Sequence, residues 1–264
     1  MPIEIGAKIR AVGKREFSQI CYDVMGSVFA IRKEMGRVFN ESVYHRKIRE
    51  SFADTLYEVP IVVSHGQFTR RYALDSLFLG AAIFEWKSVD TLCDVHRAQL
   101  LNYLMLCEVR SGKLVNLRPE KIEQEFVNVA LTRAQRQSFT LEIDSFSPSA
   151  SLDRDWMQCM IDALRDCGTG LDQGLYLSLS DFFHGGADQS HSIATVTSGN
   201  MECGQQRIRA NRTGDVIMIS TLSQRLEEFE RHSQLFLNHL DRDRLHWLNI
   251  GLHKVSFRTL HKAT

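Results

Sequence analysis

Tyr72-Ala-Leu-Asp75-Ser-Leu-Phe-Leu-Gly80-Ala-Ala-Ile-Phe-Glu85-Trp-Lys87 holds two β-like runs that meet at Leu79-Gly80-Ala81. The first run carries a lone acid, Asp75, and the second ends in Glu85-Trp86-Lys87. A carboxylate inside an apolar strand is costly unless something pairs with it. Residues two apart in a strand share a face, so Glu85 and Lys87 point the same way and Trp86 points the other way. Antiparallel pairing of the two runs would set Asp75 beside Glu85. Two carboxylates and an ammonium on a rigid scaffold suit a hard divalent cation and a phosphodiester. The same residues also fit a plainer account, in which Asp75 is an edge-strand charge and Glu85–Lys87 a surface ion pair worth little.

The rest of the chain narrows the choice. Upstream, Phe17, Ile20, Val24, Val28 and Ile31 recur at threes and fours, which predicts a helix from about Arg15 to Met35 that Gly36 ends as a left-handed cap. A second helix is expected from Asn40, its N-cap, to about Leu56, with Glu41, Tyr44 and Ile48 on one face. Glu41 alone reads equally well as a helix-start carboxylate favoured by the dipole. Val59–Val63 reads as a strand, Ser64–Gln67 as a turn and Phe68–Leu79 as the returning strand. Downstream of Lys87, a helix is expected over Cys93–Cys107 with His96, Gln99 and Tyr103 along one side. Lys113–Leu117 reads as a buried strand, and residues 118–132 as a short helix or connection. The strand–helix–strand unit after Ala81 is expected to cross over right-handedly.

These residues, in this order, resemble a known family. Gly36-Arg-Val-Phe-Asn-Glu41-Ser-Val-Tyr44 is similar to the signature of the GxxExxY proteins, with a longer spacing between Gly36 and Glu41. Leu74-Asp75, Phe84-Glu85-Trp86-Lys87 and Gln99-Leu-Leu-Asn-Tyr103 follow as they do in that family, which looks like part of the RecB-like branch of the PD-(D/E)XK nuclease superfamily. The resemblance covers about residues 15–120. It implies a restriction-endonuclease-like α/β core, with a mixed central sheet flanked by helices. It also implies a site of Asp75, Glu85, Lys87, Glu41, Gln99 and Tyr103. Asp75, Glu85, Glu41 and the Trp86 carbonyl would bind Mg²⁺, with Mn²⁺ able to substitute. The implied activity is hydrolysis of DNA or RNA by a metal-activated water. The alternative is a nucleic-acid-binding or protein-interaction module that keeps the fold without turnover. Trp86 departs from the small or aliphatic residue usual at its position, on the face away from the chemistry.

Composition sets further bounds. Lysine plus arginine and aspartate plus glutamate are both 32 among 264 residues, so the formal net charge is zero. Any grip on nucleic acid must therefore come from local patches, and the balance counts mildly against tight nonspecific binding. The six cysteines include no C-x-x-C pair, which argues against a structural zinc or iron–sulfur site. No apolar run of about 18 residues is present, so a cytoplasmic protein with reduced thiols is expected.

The expected domains are 1–132, nuclease-like, and 133–264, a smaller α+β module of unassigned role. In the second, Ser138–Ile143 reads as a strand, Ser145–Ser151 as a linker and Asp153–Cys167 as a helix, with a further helix, or a helix with a strand edge, over Leu171–Phe183. Strands Gln205–Ala210 and Asp215–Ser220 are expected around a turn at Asn211–Gly214, then a helix over Leu222–Leu240 and a hairpin from His246 to Arg258. Arg207 and Arg209, with His96 of the first domain, are the weaker candidates for phosphate contact. His184, His191 and His253 have no ligand spacing. Self-association as a homodimer is compatible with this second module.

Overall fold

The computed structural model describes residues 2–263, and the chain divides into two compact units between Thr132 and Arg133. The first unit runs β1 (Ile3–Ile5), α1 (Lys14–Met35), α2 (Glu41–Ser51), β2 (Leu56–His65), β3 (Phe68–Phe78), β4 (Ala82–Lys87), α3 (Asp94–Leu106), β5 (Ser111–Asn116) and β6 (Glu123–Asn128). Its six strands form one sheet in sequence order, antiparallel throughout except for the parallel pair β4–β5, which α3 connects. This is the mixed, helix-flanked sheet expected from the sequence.

Period-2 alternation sends the two faces of β4 to different partners. Ala82, Phe84 and Trp86 join the core made with α1 and α2, where Phe17, Ile20, Val24, Val28 and Ile31 are all buried. The helix α1 stops at Gly36, whose positive φ of 77° lets its N–H reach the Arg32 carbonyl at 3.0 Å. On the opposite face, α3 packs so closely on β5 that a Cβ at Gly112 would lie 2.9 Å from a Leu100 methyl. The β3–β4 connection places Leu79 and Gly80 in left-handed backbone (φ 50° and 60°), with the Ala81 N–H closing on the Phe78 carbonyl at 2.9 Å.

Two strands of this unit differ from the sequence reading. Residues 118–132 contain β6 rather than a helix, and the edge strand β1 was not anticipated. The strand β6 alternates half-buried Glu123, Glu125 and Val127 with exposed Gln124, Phe126 and Asn128, an edge pattern without an apolar face. Its acids are used in pairs: Glu125 receives Arg97 at two contacts of 2.7 Å, and Glu123 accepts from Asn116 at 3.0 Å. The second helix ends at Ser51, and Leu56 already starts β2.

The second unit contains α4 (Arg133–Gln137), β7 (Thr140–Glu142), α5 (Ser151–Cys167), α6 (Gln173–Phe183), β8 (His191–Ser198), β9 (Met201–Arg209), β10 (Val216–Ser220), α7 (Leu226–Asn238), β11 (Arg244–Ile250) and β12 (Lys254–His261). A four-stranded sheet has the order β10-β11-β12-β7, and β8–β9 form a separate hairpin. The expected β11–β12 hairpin is present. The strands on either side of Asn211–Gly214 do not form the expected hairpin. Beyond one bridge between Ala210 and Val216, β9 pairs with β8, and β10 pairs in parallel with β11. A serine-rich segment read as a linker is bound in place: the Ser145 carbonyl accepts from the Thr259 N–H at 2.9 Å, and the Ser147 N–H donates to Thr259 Oγ1 at 2.9 Å. Serine hydroxyls and backbone satisfy such loops locally, which composition does not distinguish from a solvated tether. The helix expected over Leu222–Leu240 is shorter, spanning Leu226–Asn238.

Candidate active site

Four elements of the first unit carry the side chains that the sequence singles out: α2 (Glu41), β3 (Asp75), β4 (Glu85 and Lys87) and α3 (Gln99 and Tyr103). The β3–β4 ladder runs Phe78↔Ala82, Leu77↔Ile83 and Ser76↔Phe84, then stops, so Asp75 is the next residue opposite Glu85. On the other side, the β2–β3 ladder pairs Tyr57↔Ser76 and Val59↔Leu74 but skips Asp75. The residue across from it, Glu58, is in left-handed backbone at φ 51°. Asp75 therefore sits at a break in both ladders. Its Oδ2 takes the role of the missing strand partner, accepting the Trp86 N–H at 2.9 Å. Locally irregular backbone at one residue is a common way to re-aim a side chain.

The neighbouring acid is fully buried. Glu85 is 0% exposed, and its Oε1 accepts from Lys87 Nζ at 2.6 Å. Its Oε2 has no hydrogen-bond partner among the described residues. Burial, then the charge of Asp75, pushes the Glu85 carboxyl up to about 8 against the pull of Lys87, with Glu41 adding to the rise. Burial alone would lower Lys87, but the charges of Glu85, Asp75 and Glu41 outweigh it and hold the ammonium above its usual value. Three carboxylates thus share one lysine.

Glu41 is accompanied by a residue the sequence reading missed. His45 lies one helical turn further along α2, with Nε2 at 3.9 Å from Glu41 Oε1. That nitrogen is buried and has no hydrogen-bond partner among the described residues. One ligand atom each from Glu41, His45 and Asp75 fall within 4.8 Å of one another. The i, i+4 spacing from Glu41 was the available signal. Two orphaned buried atoms, Glu85 Oε2 and His45 Nε2, beside an excess of carboxylate make a donor set that fits a divalent cation, since buried polar groups otherwise find partners.

On the α3 side, Gln99 Nε2 donates to Tyr103 Oη at 3.1 Å, and the Tyr103 ring meets Tyr72 edge-on at 6.2 Å. Burial raises the Tyr103 hydroxyl, the Gln99 hydrogen bond offsets part of that, and the charges of Glu85 and Asp75 raise it further, so it stays protonated. Trp86 turns away as expected: its ring stacks on Phe84, and Nε1 donates to Ser76 Oγ at 2.9 Å.

Of the weaker candidates, one is held at its own helix start and two belong to the second unit. His96 turns back on its own helix start, where Nδ1 accepts the Cys93 N–H at 3.1 Å. Arg209 is neutralised by Asp181, with Nε at 3.0 Å from Oδ1. Arg207 on β9 is exposed, but it belongs to the second unit. The second unit holds its own cluster, Asp153, Asp215 and His246, which no spacing in the sequence announced.

Residues 18–129 match a family model described as PD-(D/E)XK nuclease superfamily, and the mixed, helix-flanked sheet of the first unit agrees with that fold. Proteins of this superfamily are usually nucleases that use divalent metals. No curated protein matches the chain. A solved structure titled "Crystal structure of SSO0001" is similar at 20% identity over 46% of this chain, which spans 61% of that one, with a TM-score of 0.28, too low to bear on the fold. No described helix is long and apolar enough to cross a membrane.

Proposed function

We propose that the first unit is a divalent-metal-dependent nuclease that hydrolyses phosphodiester bonds of nucleic acid, DNA foremost, with Mg²⁺ as the working ion and Mn²⁺ able to replace it. One observation carries this reading: Glu85 is fully buried, with one oxygen on Lys87 and the other without a partner, beside Asp75 at the broken ladder. A carboxylate held in that way is stabilised by an ion at its free oxygen.

The ligands in this reading are Asp75 and Glu85 Oε2, with Glu41 completing the set, the Trp86 carbonyl adding an oxygen and His45 extending it. The bound ion would supply an acidified water and neutralise charge on the phosphate. Lys87 keeps its proton because three acids surround it, so its Nζ can orient the attacking water and stabilise the charge that develops on the phosphoryl oxygens. Its bond to Glu85 Oε1 fixes the ammonium before substrate arrives. Tyr103, held by Gln99, offers a neutral donor to a phosphate oxygen. The buried face of Trp86 keeps the strand rigid beneath these groups, which helps positioning.

The test is cleavage of end-labelled single- and double-stranded DNA and RNA with Mg²⁺ or Mn²⁺ and with chelator, beside an Asp75→Ala control. Metal-dependent cleavage lost in the control is the expected result. Binding to the same substrates without cleavage would instead favour a module that keeps the fold without turnover.

A further inference from the structure

The second unit brings together three residues far apart in sequence. Asp153 comes from the first turn of α5, Asp215 from the residue before β10, and His246 from the middle of β11. All three are buried, and one ligand atom from each lies within 4.8 Å of the others. His246 Nε2 is 3.4 Å from Asp215 Oδ2 and 3.7 Å from Asp153 Oδ2. The imidazole is 0% exposed, and this nitrogen has no hydrogen-bond partner among the described residues. Among the described residues, no lysine or arginine forms an ion pair with either carboxylate.

The surroundings set the geometry. His246 Nδ1 is 3.0 Å from Thr259 Oγ1. That hydroxyl accepts the Ser147 N–H at 2.9 Å and has the Ser147 carbonyl at 3.3 Å for its own proton. With its proton there, Thr259 accepts from Nδ1–H, and the Nε2 lone pair faces the two carboxylates. A ligating histidine is oriented in this way by a bond from its other nitrogen. The carboxylates are oriented too. Asp153 Oδ2 accepts from the Ser149 N–H at 2.8 Å and the Ala150 N–H at 3.0 Å, and Oδ1 accepts from Asn211 Nδ2 at 2.7 Å. Asp215 Oδ2 lies 2.6 Å from Ser149 Oγ and 3.1 Å from Thr213 Oγ1.

The spacing discriminates between two ways of filling this cluster. An imidazolium bonded directly to a carboxylate would sit at about 2.7–2.9 Å. Nitrogen and oxygen ligands each about 2.1 Å from one tetrahedral ion stand about 3.4 Å apart. The contacts of 3.4 and 3.7 Å match the second arrangement. Asp153, Asn211 and Thr213 also line a cavity of about 150 Å³.

We propose that Asp153, Asp215 and His246 form a divalent transition-metal site that ties the start of α5 to the β10–β11 edge of the sheet. The mix of two carboxylates and one imidazole suits Mn²⁺ or Zn²⁺ better than Mg²⁺. This site is independent of the nuclease reading. The test is a Mn²⁺ titration of the full chain carrying Glu41→Gln, Asp75→Asn and Glu85→Gln, which removes the acids of the other cluster, read by the electron paramagnetic resonance of free Mn²⁺. One equivalent is expected to bind at least tenfold more tightly than Mg²⁺, broaden the ring signals of His246 in the NMR spectrum, and bind at least tenfold more weakly when His246→Gln or Asp215→Asn is added. A folded protein that takes up no ion at 1 mM Mn²⁺, or whose bound ion leaves the His246 signals sharp, overturns the proposal. The NMR readout needs no change in the buried cluster, so it decides the matter even if both of those variants fail to fold.

Discussion

The two units each gather carboxylates and a histidine nitrogen that lacks a hydrogen bond, yet they do so in opposite ways. In the first, the acids compete for one lysine, and Glu41, His45 and Asp75 are only half-buried. In the second, no described lysine or arginine is paired with the acids, and hydrogen bonds from Ser149, Ala150, Asn211 and Thr213 hold them in a buried cluster. A half-open site with a charged lysine can admit and polarise a phosphate. A closed one saturated with oriented donors can hold geometry but has little room for a large substrate.

The largest expected effect separates the two clusters by chemistry. Lys87→Ala should lower metal-dependent cleavage by about 10²–10³-fold or more, as loss of a transition-state charge partner does, while circular dichroism stays native. His246→Gln should leave that rate within about threefold if catalysis belongs to the first unit. Comparable losses in both variants, with both folded, would break the distinction.

A smaller effect concerns metal affinity. His45→Ala should weaken Mn²⁺ binding at the first cluster by about 10–100-fold, the range expected when a group orienting or completing a metal site is lost. Calorimetry in a chain carrying Asp215→Asn would isolate it. Unchanged affinity would remove His45 from the ligand set.

The pH dependence should run in opposite directions in the two units. Burial and its like-charged neighbours raise the folded Glu85 to about 8, from an ordinary value of 4.5, so the metal-free folded state holds a proton that the unfolded chain releases. The stability this contributes is complete below pH 4.5 and is lost as pH rises towards 8. Burial alone would raise Asp153, but bonds from Ser149 and Ala150 and the nearby His246 hold it below 3.8. Its contribution is present above that value and fades as pH falls further. Hydrogen exchange resolved by unit should show the first unit loosening from pH 5 to 8 without metal, and Glu85→Gln should flatten that trend. A flat profile in the unsubstituted chain would contradict the assigned environment of Glu85.

The smallest effect is on thiol reactivity. Burial pushes Cys21 up to about 11 and both Cys107 and Cys167 to about 12, whereas Cys93 and Cys203 are exposed. A thiol reagent at neutral pH should label Cys93 and Cys203 first. Rapid labelling of Cys107 would mean that α3, and with it Tyr103, is less firmly packed than described.

Much of the first cluster was legible because local periodicities place its side chains and the family resemblance singled out which of them to group. Asp75, Glu85 and Lys87 are fixed by strand alternation and one hairpin, and Glu41, Gln99 and Tyr103 by helix faces. The break of both ladders at Asp75 was not legible, since it depends on the backbone of Glu58 across the sheet. His45 was passed over because an imidazole after a helix-start acid reads as a surface pair. The strand β6 was missed because its inward positions are glutamates whose partners, Arg97 and Asn116, lie on other elements. The second cluster was illegible for a stronger reason. Its members come from a helix start, a turn and a strand, and only the parallel pairing of β10 with β11 brings Asp215 to His246. No spacing encodes that.

The central claim is that Asp75 and the unpartnered oxygen of Glu85 hold the catalytic ion. Anomalous diffraction from crystals of the full chain soaked in Mn²⁺ tests it most directly. The account predicts a peak about 2.0–2.3 Å from Glu85 Oε2 and from a carboxylate oxygen of Asp75, the distances such oxygen ligands adopt. A fully soaked crystal with Mn²⁺ bound elsewhere and none between these two carboxylates would contradict it.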